Sequence, residues 1–123
     1  MKVLGIETSC DDTAAAVYDS ARGLRGHRQA SQLDSHRPFG GVVPELAARD
    51  HVRLLMPLVR QVLVDSDLKV DDLDGVAYTS GPGLAGALLV GAALGRSLAS
   101  VSYTHLRAHE TDSYLVCRLL LEK

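Results

Sequence analysis

The spacing of hydrophobic residues changes near residue 43, and this change constrains the fold more than any other feature of the sequence. Over residues 1–31, short apolar segments alternate with polar turns, which is typical of β-strands. Residues 43–67 instead carry apolar side chains every three or four positions, which is typical of an amphipathic helix. Another strand pattern and another helical segment follow. This order predicts an α/β fold with a mixed sheet, made of two antiparallel hairpins and then a parallel pair joined by a right-handed crossover.

These patterns give approximate bounds for each element. We expect strands over residues 3–6, 13–18, 24–31 and 76–79, and helices over residues 43–67 and 84–99. The third strand is more polar than the others and is expected at the edge of the sheet. Pro44 suits the first turn of the first helix. Pro57 lies inside that helix and removes a backbone hydrogen bond, so we expect the helix to kink or split near Arg53.

Length and charge narrow the class of protein. A chain of 123 residues has the length of one ordinary domain. Its net charge of -2 argues against a main docking surface for nucleic acid. Cys10 and Cys117 match no zinc-binding spacing, and the longest apolar run, residues 81–95, is shorter than the roughly 20 residues that span a bilayer. No signal peptide is evident, so we expect a soluble, cytoplasmic protein.

The polar segment after the first strand is the first candidate site. Ser9, Asp11, Asp12 and Thr13 lie at a predicted tight hairpin. Backbone N–H groups of successive turn residues can bind an anion, and a neighbouring carboxylate can hold the magnesium that accompanies a nucleotide phosphate. Alternatively, the two aspartates are only the polar tip of a hairpin. The residues by themselves leave both interpretations open.

Small residues at the second strand–helix junction form another candidate. The turn reads Ser-Gly-Pro-Gly over residues 80–83, which lets backbone approach a phosphate or simply makes a tight turn. In the following helix, Ala87, Gly91 and Gly95 recur every four residues. Each glycine costs about 1 kcal/mol in a helix relative to alanine, so another element is expected to come close to it. The sheet is the default neighbour, and a helix of another chain is the alternative.

The five histidines give a weaker signal. His27, His36 and His51 are scattered along the chain, and we expect them at the surface or in capping roles. His105 and His109 have the i, i+4 spacing that chelates a metal on one helical turn, with Glu110 adjacent. Further ligands are not evident in the sequence, so no metal ligand is assigned.

Three ordered segments resemble one known family. They are residues 3–19, 36–59 and 75–99, which read VLGIETSCDDTAAAVYD, HRPFGGVVPELAARDHVRLLMPLV and GVAYTSGPGLAGALLVGAALGRSLA. They are similar, in register and without gaps, to the N-terminal part of the TsaD family of tRNA threonylcarbamoyladenosine transferases, formerly called O-sialoglycoprotein endopeptidases. The resemblance implies the N-lobe of the actin-like, sugar-kinase-like ATPase fold, which is related to ribonuclease H. It covers residues 1–99.

The resemblance also implies an activity and a set of partners. The family moves a threonylcarbamoyl group from threonylcarbamoyl-adenylate to the adenosine next to the anticodon of certain tRNAs. It uses one divalent metal ion, iron or zinc, and works with a like-folded partner subunit, a small ATPase and a carrier subunit. By resemblance, Asp11 and Asp12 are catalytic, and Ser9 and Thr13 belong to a loop that faces the nucleotide. The family usually has Glu at the position of Asp12.

The resemblance further implies a partner interface on the two helices. The residues that it assigns to this interface are Leu55, Val59, Ala87, Gly91 and Gly95.

The sequence departs from the family after residue 99. The family continues through another strand into a His-His-x-Glu-Gly-His metal motif and a second lobe, whereas residues 100–123 read SVSYTHLRAHETDSYLVCRLLLEK. This tail resembles translated sequencing-adapter read-through, so we interpret residues 100–123 as foreign to the gene, poorly ordered and without the metal ligands. The alternative is a genuine amphipathic C-terminal helix, which would use Leu115, Cys117, Leu119, Leu120 and Leu121.

Two functional classes remain after these comparisons of motifs. The first is the N-lobe of the transferase, with the fragment itself inactive. The second is a non-catalytic scaffold, like the family's own like-folded partner. Residues 83–86, Gly-Leu-Ala-Gly, resemble the catalytic branch more than the partner branch. The sequence does not support the older peptidase assignment, because it contains no nucleophile–base pair and no HExxH motif.

Overall fold

The chain forms one five-stranded mixed sheet with both helices packed against it. In the computed structural model, which describes residues 1–32, 37–102 and 105–110, the strands are β1 (Lys2–Glu7), β2 (Asp12–Asp19), β3 (Gly23–Ser31), β4 (Gly75–Gly81) and β5 (His105–Glu110). The helices are α1 (Pro44–Asp65) and α2 (Ala85–Ser102), and short 3-10 turns cover Arg37–Phe39 and Val70–Asp72. The strand order is β3-β2-β1-β4-β5. The predicted α/β class, the element order and the polar edge strand β3 are therefore confirmed.

The first three strands form the two predicted hairpins. β1 pairs antiparallel with β2, and β2 pairs antiparallel with β3. The β2–β3 turn is closed by the Asp19 carboxylate, which accepts a hydrogen bond from the Ala21 N–H at 2.9 Å, and by Gly23 at φ 84°. Glycine adopts this left-handed conformation without the steric cost that a Cβ would bring. β4 then lies parallel to β1, on the side opposite β2.

Helix α1 starts at Pro44, as predicted, and continues without interruption through Pro57 to Asp65. The expected split of the helix near Arg53 is therefore wrong, whereas the expected kink stays a prediction. Pro57 is exposed, so its ring points away from the sheet and the missing backbone hydrogen bond lies on the solvent side. The Ser66 N–H ends the helix by donating to the Val62 carbonyl at 3.0 Å.

The hydrophobic core lies between one face of the sheet and the two helices. α1 covers β2 and β3, α2 covers β4 with contacts to β1 and β5, and the helices pack against each other. Leu4 and Ile6 of β1 are almost fully buried, which is worth about 1.5–3 kcal/mol for each side chain. Their neighbours in the core are Ala15, Val17, Leu55, Val59, Val62, Leu63, Leu73, Val76, Tyr78 and Leu98. Neither helix of the described chain is long and apolar enough to cross a membrane.

Strand β5 changes the interpretation of the tail. It pairs in parallel with β4, with His105 opposite Gly75 and His109 opposite Thr79. The helical turn on which the i, i+4 spacing would allow these histidines to chelate a metal is therefore not formed, because four residues span about 13 Å along a strand. The backbone of residues 105–110 forms a paired strand, and the expectation of poor order in the tail stays a prediction. The alternative C-terminal helix lies outside the described residues, and the assignment of residues 100–123 to foreign sequence stays a prediction.

Candidate functional site

The loop between β1 and β2, residues 8–11, forms the candidate site. β1 and β4 are parallel, so their carboxyl ends reach the same edge of the sheet. The loop that follows β1 therefore meets the turn that follows β4, and the Leu84 N–H donates a hydrogen bond to the Ser9 carbonyl at 2.8 Å. The predicted polar hairpin and the predicted glycine turn, 70 residues apart in the chain, are parts of one site.

A buried carboxylate holds the start of the loop. Glu7, the last residue of β1, is 4% exposed. One of its oxygens accepts the Ser9 N–H, and the other accepts a hydrogen bond from the Thr79 hydroxyl at 2.9 Å. Because both oxygens have donors, the cost of burying this group is offset, and the ends of β1 and β4 are tied together.

Two glycines allow the neighbouring elements to approach this loop. A Cβ on Gly83 would lie 2.9 Å from the Ser9 Cβ and closer still to the Ser9 carbonyl oxygen. A Cβ on Gly91 would lie 2.6 Å from the hydroxyl oxygen of Thr8, which donates to the Ala87 carbonyl at 2.7 Å. The glycine turn and helix α2 therefore sit against the loop at a distance that only glycine permits.

His51 holds the loop from the other side. It is fully buried on α1, its Nε2 lies 2.7 Å from the Cys10 carbonyl, and its Nδ1 lies 2.7 Å from the Thr13 hydroxyl. A carbonyl only accepts, so Nε2 carries the proton and Nδ1 of the neutral ring accepts from Thr13. Burial lowers the pKa of His51, more strongly than the Cys10 carbonyl and the nearby carboxylates raise it. The ring is therefore neutral at pH 7.

The predicted site residues divide into two groups. Asp11 and Asp12 are partly exposed at the tip, and the Asp12 carboxylate accepts a hydrogen bond from the Gln29 amide at 3.1 Å. Ser9 is 4% exposed, and Thr13 is fully buried with its hydroxyl engaged by His51. The side chain of Thr13 points into the protein. The assignment of Ser9 and Thr13 to a loop that faces the nucleotide stays a prediction.

Cys10 lies in the same loop, between Ser9 and Asp11 in the sequence, and is exposed. Partial desolvation and the neighbouring Asp11 raise the pKa of the Cys10 thiol. The thiol therefore stays protonated at neutral pH and is a poor nucleophile.

The predicted partner-interface residues lie inside the chain. Leu55 and Val59 are 2% and 1% exposed in the core, Ala87 is fully buried, and Gly91 and Gly95 are buried as well. All five residues are buried because the amphipathic faces that carry them cover this chain's own sheet, so this chain does not expose them to a partner. The partner interface on the two helices stays a prediction. The default interpretation of the small residues, close packing on the sheet, is confirmed for Gly91 by its contact with Thr8.

Sequence reasoning missed Glu7, Thr8 and His51. The expectation that His51 lies at the surface is wrong, and a signal was present: His51 falls every fourth position with Ala47, Leu55 and Val59 on the buried stripe of α1. Glu7 ends an apolar strand and directly precedes turn N–H groups that a carboxylate can accept. Glu7 and His51 both form hydrogen bonds with the backbone of the loop, at Ser9 and Cys10. A linear motif does not reveal such contacts.

The site can present charge on a rigid backbone. Ser9, Cys10 and Asp11 each have a carbonyl that accepts a hydrogen bond, from Leu84, His51 and the Gln32 N–H respectively. The Asp11 and Asp12 carboxylates thus stand on a fixed frame and can hold a cation or accept from a ligand. No group of three or more His, Cys, Asp or Glu that could hold a metal occurs in the described part of the chain. The described residues therefore do not form the iron or zinc site implied by the resemblance.

A family model shows the family of the chain, and solved structures show its fold. The family model described as TsaD, tRNA N6-adenosine threonylcarbamoyltransferase, matches residues 23–108. YeaZ from Pseudomonas aeruginosa is similar in structure, with a TM-score of 0.65 and 20% identity over 89% of this chain and 43% of that one. A second protein, described as similar to peptidase YeaZ from the same organism, gives a TM-score of 0.69 and 20% identity over 99% and 49%.

A more distant structure shares the same fold. RuvC of Thermus thermophilus, solved with a Holliday junction substrate, gives a TM-score of 0.57 and 15% identity over 99% of this chain and 79% of that one. At these identities the likeness shows the fold alone, which is the ribonuclease-H-like, actin-like lobe expected from the sequence. The chain spans less than half the length of the two YeaZ-like structures.

Proposed function

The chain belongs to the TsaD family of tRNA N6-adenosine threonylcarbamoyltransferases, and on that premise we propose that it is the N-terminal lobe of such a transferase. The whole reaction moves a threonylcarbamoyl group from threonylcarbamoyl-adenylate to the adenosine next to a tRNA anticodon. The lobe contributes the β1–β2 loop to the donor side of the active site.

The observation that supports this function is the fixed loop at the carboxyl ends of β1 and β4. In open α/β sheets, ligands bind outside the carboxyl ends of the strands. Here that edge carries the partly exposed Asp11 and Asp12 carboxylates and the start of helix α2. A fixed backbone is what a transferase needs, because donor and acceptor have to be held in one geometry.

Asp11 and Asp12 then act on the adenylate donor. Their carboxylates orient the phosphate end of the nucleotide through a bound magnesium ion, or accept hydrogen bonds from hydroxyl or N–H groups elsewhere on the ligand. Asp12 accepts from the Gln29 amide and Asp11 accepts from the Cys10 thiol, so a ligand has to share or displace these contacts. The described residues offer no fitting set of ligands for the iron or zinc ion of the family.

The partners follow from the family and from the surface that remains exposed. We expect the like-folded subunit to contact the outer sides of α1 and α2, where Val52 and Leu89 are 67% and 68% exposed. Single exposed apolar side chains are common, so this proposal requires Val52 and Leu89 to belong to one contiguous apolar patch, the kind of surface that marks an interface. The small ATPase, the carrier subunit and the tRNA substrate complete the proposed assembly.

Nucleotide binding tests the proposal on the chain itself. Titration of the ¹⁵N-labelled chain with ATP and Mg²⁺, followed by NMR, should shift amide signals of residues 8–13 and 81–87. Asp11→Asn should weaken binding of ATP and Mg²⁺ by about tenfold or more, because the negatively charged carboxylate of Asp11 becomes a neutral amide.

The matched control is Asp67→Asn. Asp67 is exposed, lies just beyond the far end of α1 and has φ 55°, a conformation that Asn tolerates well. This variant should bind ATP as the original chain does. If shifts fall outside the loop and turn, or if Asp11→Asn binds as tightly as the control, the proposed site is wrong.

A transfer assay separates the lobe from the complete enzyme. With labelled threonine and tRNA, the 123-residue chain is expected to leave the tRNA unlabelled, both alone and with the partner subunits added. Incorporation of label by the chain would contradict this part of the proposal. The scaffold alternative predicts instead that the chain binds the transferase subunit. It also predicts that Asp11→Asn does not change the affinity of the chain for any nucleotide.

A further inference from the structure

His51 occupies a position where a hydrophobic residue would be expected. It lies on the buried stripe of α1 with Ala47, Leu55 and Val59, and it is fully buried. Burying an imidazole in this stripe costs desolvation that a leucine would not incur. Both ring nitrogens, however, have partners at 2.7 Å, the Cys10 carbonyl and the Thr13 hydroxyl, and the Gln32 side-chain amide lies 3.4 Å from Nδ1. The ring is therefore placed for hydrogen bonding and not for packing alone.

These two contacts bridge the loop. Cys10 lies in the β1–β2 loop, and Thr13 lies in β2 two residues beyond Asp11. The segment that carries Asp11 and Asp12 is thus held at both ends by one ring on a third element. The carbonyls on either side of Cys10 are held separately, by the Leu84 N–H at Ser9 and by the Gln32 N–H at Asp11.

We propose that His51 is a positioning residue, which sets the place of the Asp11 and Asp12 carboxylates by donating its Nε2 proton to the Cys10 carbonyl. Its consequence for catalysis rests on the proposed function, whereas its effect on the loop does not. The neutral ring is needed in one tautomer, and three carboxylates face it: Glu7 from β1, Asp11 from the loop and Asp50 from α1 itself.

Two variants separate the two contacts of the ring. His51→Gln places an amide N–H near the position of Nε2 and keeps a donor for Cys10, whereas His51→Asn places its carbonyl oxygen near Nδ1 and keeps only the acceptor for Thr13. The measurement is amide hydrogen exchange of Leu84 and Gln32, whose N–H groups donate to the carbonyls that flank Cys10. The Asp74 N–H, which donates to the Lys2 carbonyl at the opposite end of the sheet, is the internal control.

We expect Leu84 and Gln32 to exchange at least about tenfold faster in His51→Asn than in His51→Gln, with Asp74 unchanged. Equal exchange in the two variants, or acceleration that includes Asp74 to the same extent, would overturn the proposal and leave His51 as a core residue. If His51→Asn does not fold, Thr13→Val serves in its place, and it should keep Leu84 and Gln32 protected because the Cys10 contact remains.

The unmodified chain provides a measurement that no folding defect can affect. Long-range ¹H–¹⁵N NMR of the imidazole should show a neutral ring protonated at Nε2, and a ring protonated at Nδ1 would overturn the proposal. The ATP titration adds the functional arm, in which His51→Asn should bind more weakly than His51→Gln. If Asp11→Asn has no effect on ATP while the exchange results hold, the proposed function fails and the positioning role stands.

Discussion

At the scale of single residues, Gly83 determines how closely the glycine turn approaches the loop. Replacing it with alanine places a methyl group against the backbone of Ser9. Unlike the end of a flexible side chain, this backbone cannot rotate away from the methyl group. We expect Gly83→Ala to lower the free energy of unfolding by about 1–3 kcal/mol, measured by urea denaturation. Gly41→Ala is the control, because nothing lies within 4 Å of its Cβ position. Equal stability of the two variants would mean that the turn does not press on Ser9.

His51 also predicts a dependence of stability on pH. Its pKa in the folded chain is below the ordinary value of 6.5, because burial disfavours the charged ring. As the pH falls below about 6.5, the unfolded chain binds a proton that the folded chain does not, so the free energy of unfolding decreases. The slope reaches at most about 1.4 kcal/mol per pH unit, and the loss ends below the folded pKa.

The check is urea denaturation from pH 7.5 to pH 5, with His51→Gln as the reference that cancels the other histidines. The original chain should lose more stability over this range than the variant. Asp19 and Asp65 do not interfere, because hydrogen bonds lower the pKa of both carboxyls from 3.8 and their contributions change only below about pH 5. Parallel pH profiles for the two chains would show that His51 is not held neutral by folding.

At the scale of the elements, helix α2 carries glycines with opposite expected effects. Gly86→Ala places its methyl group 3.4 Å from the Ala48 Cβ, an ordinary contact, and gains helix propensity. Gly91→Ala gains the same propensity but meets the Thr8 hydroxyl, whose buried bond to the Ala87 carbonyl would be broken if it moved away. The loss of such a bond outweighs the gain.

Melting temperatures test this pair. We expect Gly86→Ala to be neutral or more stable by up to about 1 kcal/mol, and Gly91→Ala to be less stable by about 1–2 kcal/mol. Stabilisation by both substitutions would show that α2 can move away from β1 at little cost, and that the small-residue stripe is not needed for packing on the sheet.

At the scale of the whole molecule, β5 decides whether the sheet ends at β4. A chain ending at residue 102 leaves the outer edge of β4 unpaired, whereas a chain ending at residue 110 keeps the β4–β5 ladder. We expect the shorter chain to be less stable by about 2 kcal/mol or more, because several backbone hydrogen bonds are lost, and to aggregate more readily through the open edge. Equal stability in urea would favour the interpretation of residues 100–123 as a loosely attached foreign tail. The family match extends to residue 108 and so includes part of the tail. Sequencing the gene downstream of codon 99 would show directly whether residues 100–123 are foreign to it.

The sequence by itself determined the element order, the α/β class and the family. These depend on local information: hydrophobic period marks each strand and helix, Pro44 marks a helix start, and three ordered segments carry the resemblance. It also identified Asp11 and Asp12 at the loop tip, because polar residues directly after a buried strand fall at a sheet edge. Errors occurred where a local rule met a tertiary contact, as with Pro57, which α1 tolerates on its exposed side.

Only the tertiary structure decided what holds the site. The contacts of Glu7 with Thr79, of Ser9 with Leu84 and of His51 with Cys10 join residues 41 to 75 positions apart. No pattern of spacing encodes such pairs, because they arise when parallel β1 and β4 end at one edge and α1 crosses beside it. The same packing turned Leu55, Val59 and the small residues of α2 inward, since an amphipathic face can cover its own sheet before it is available to another chain.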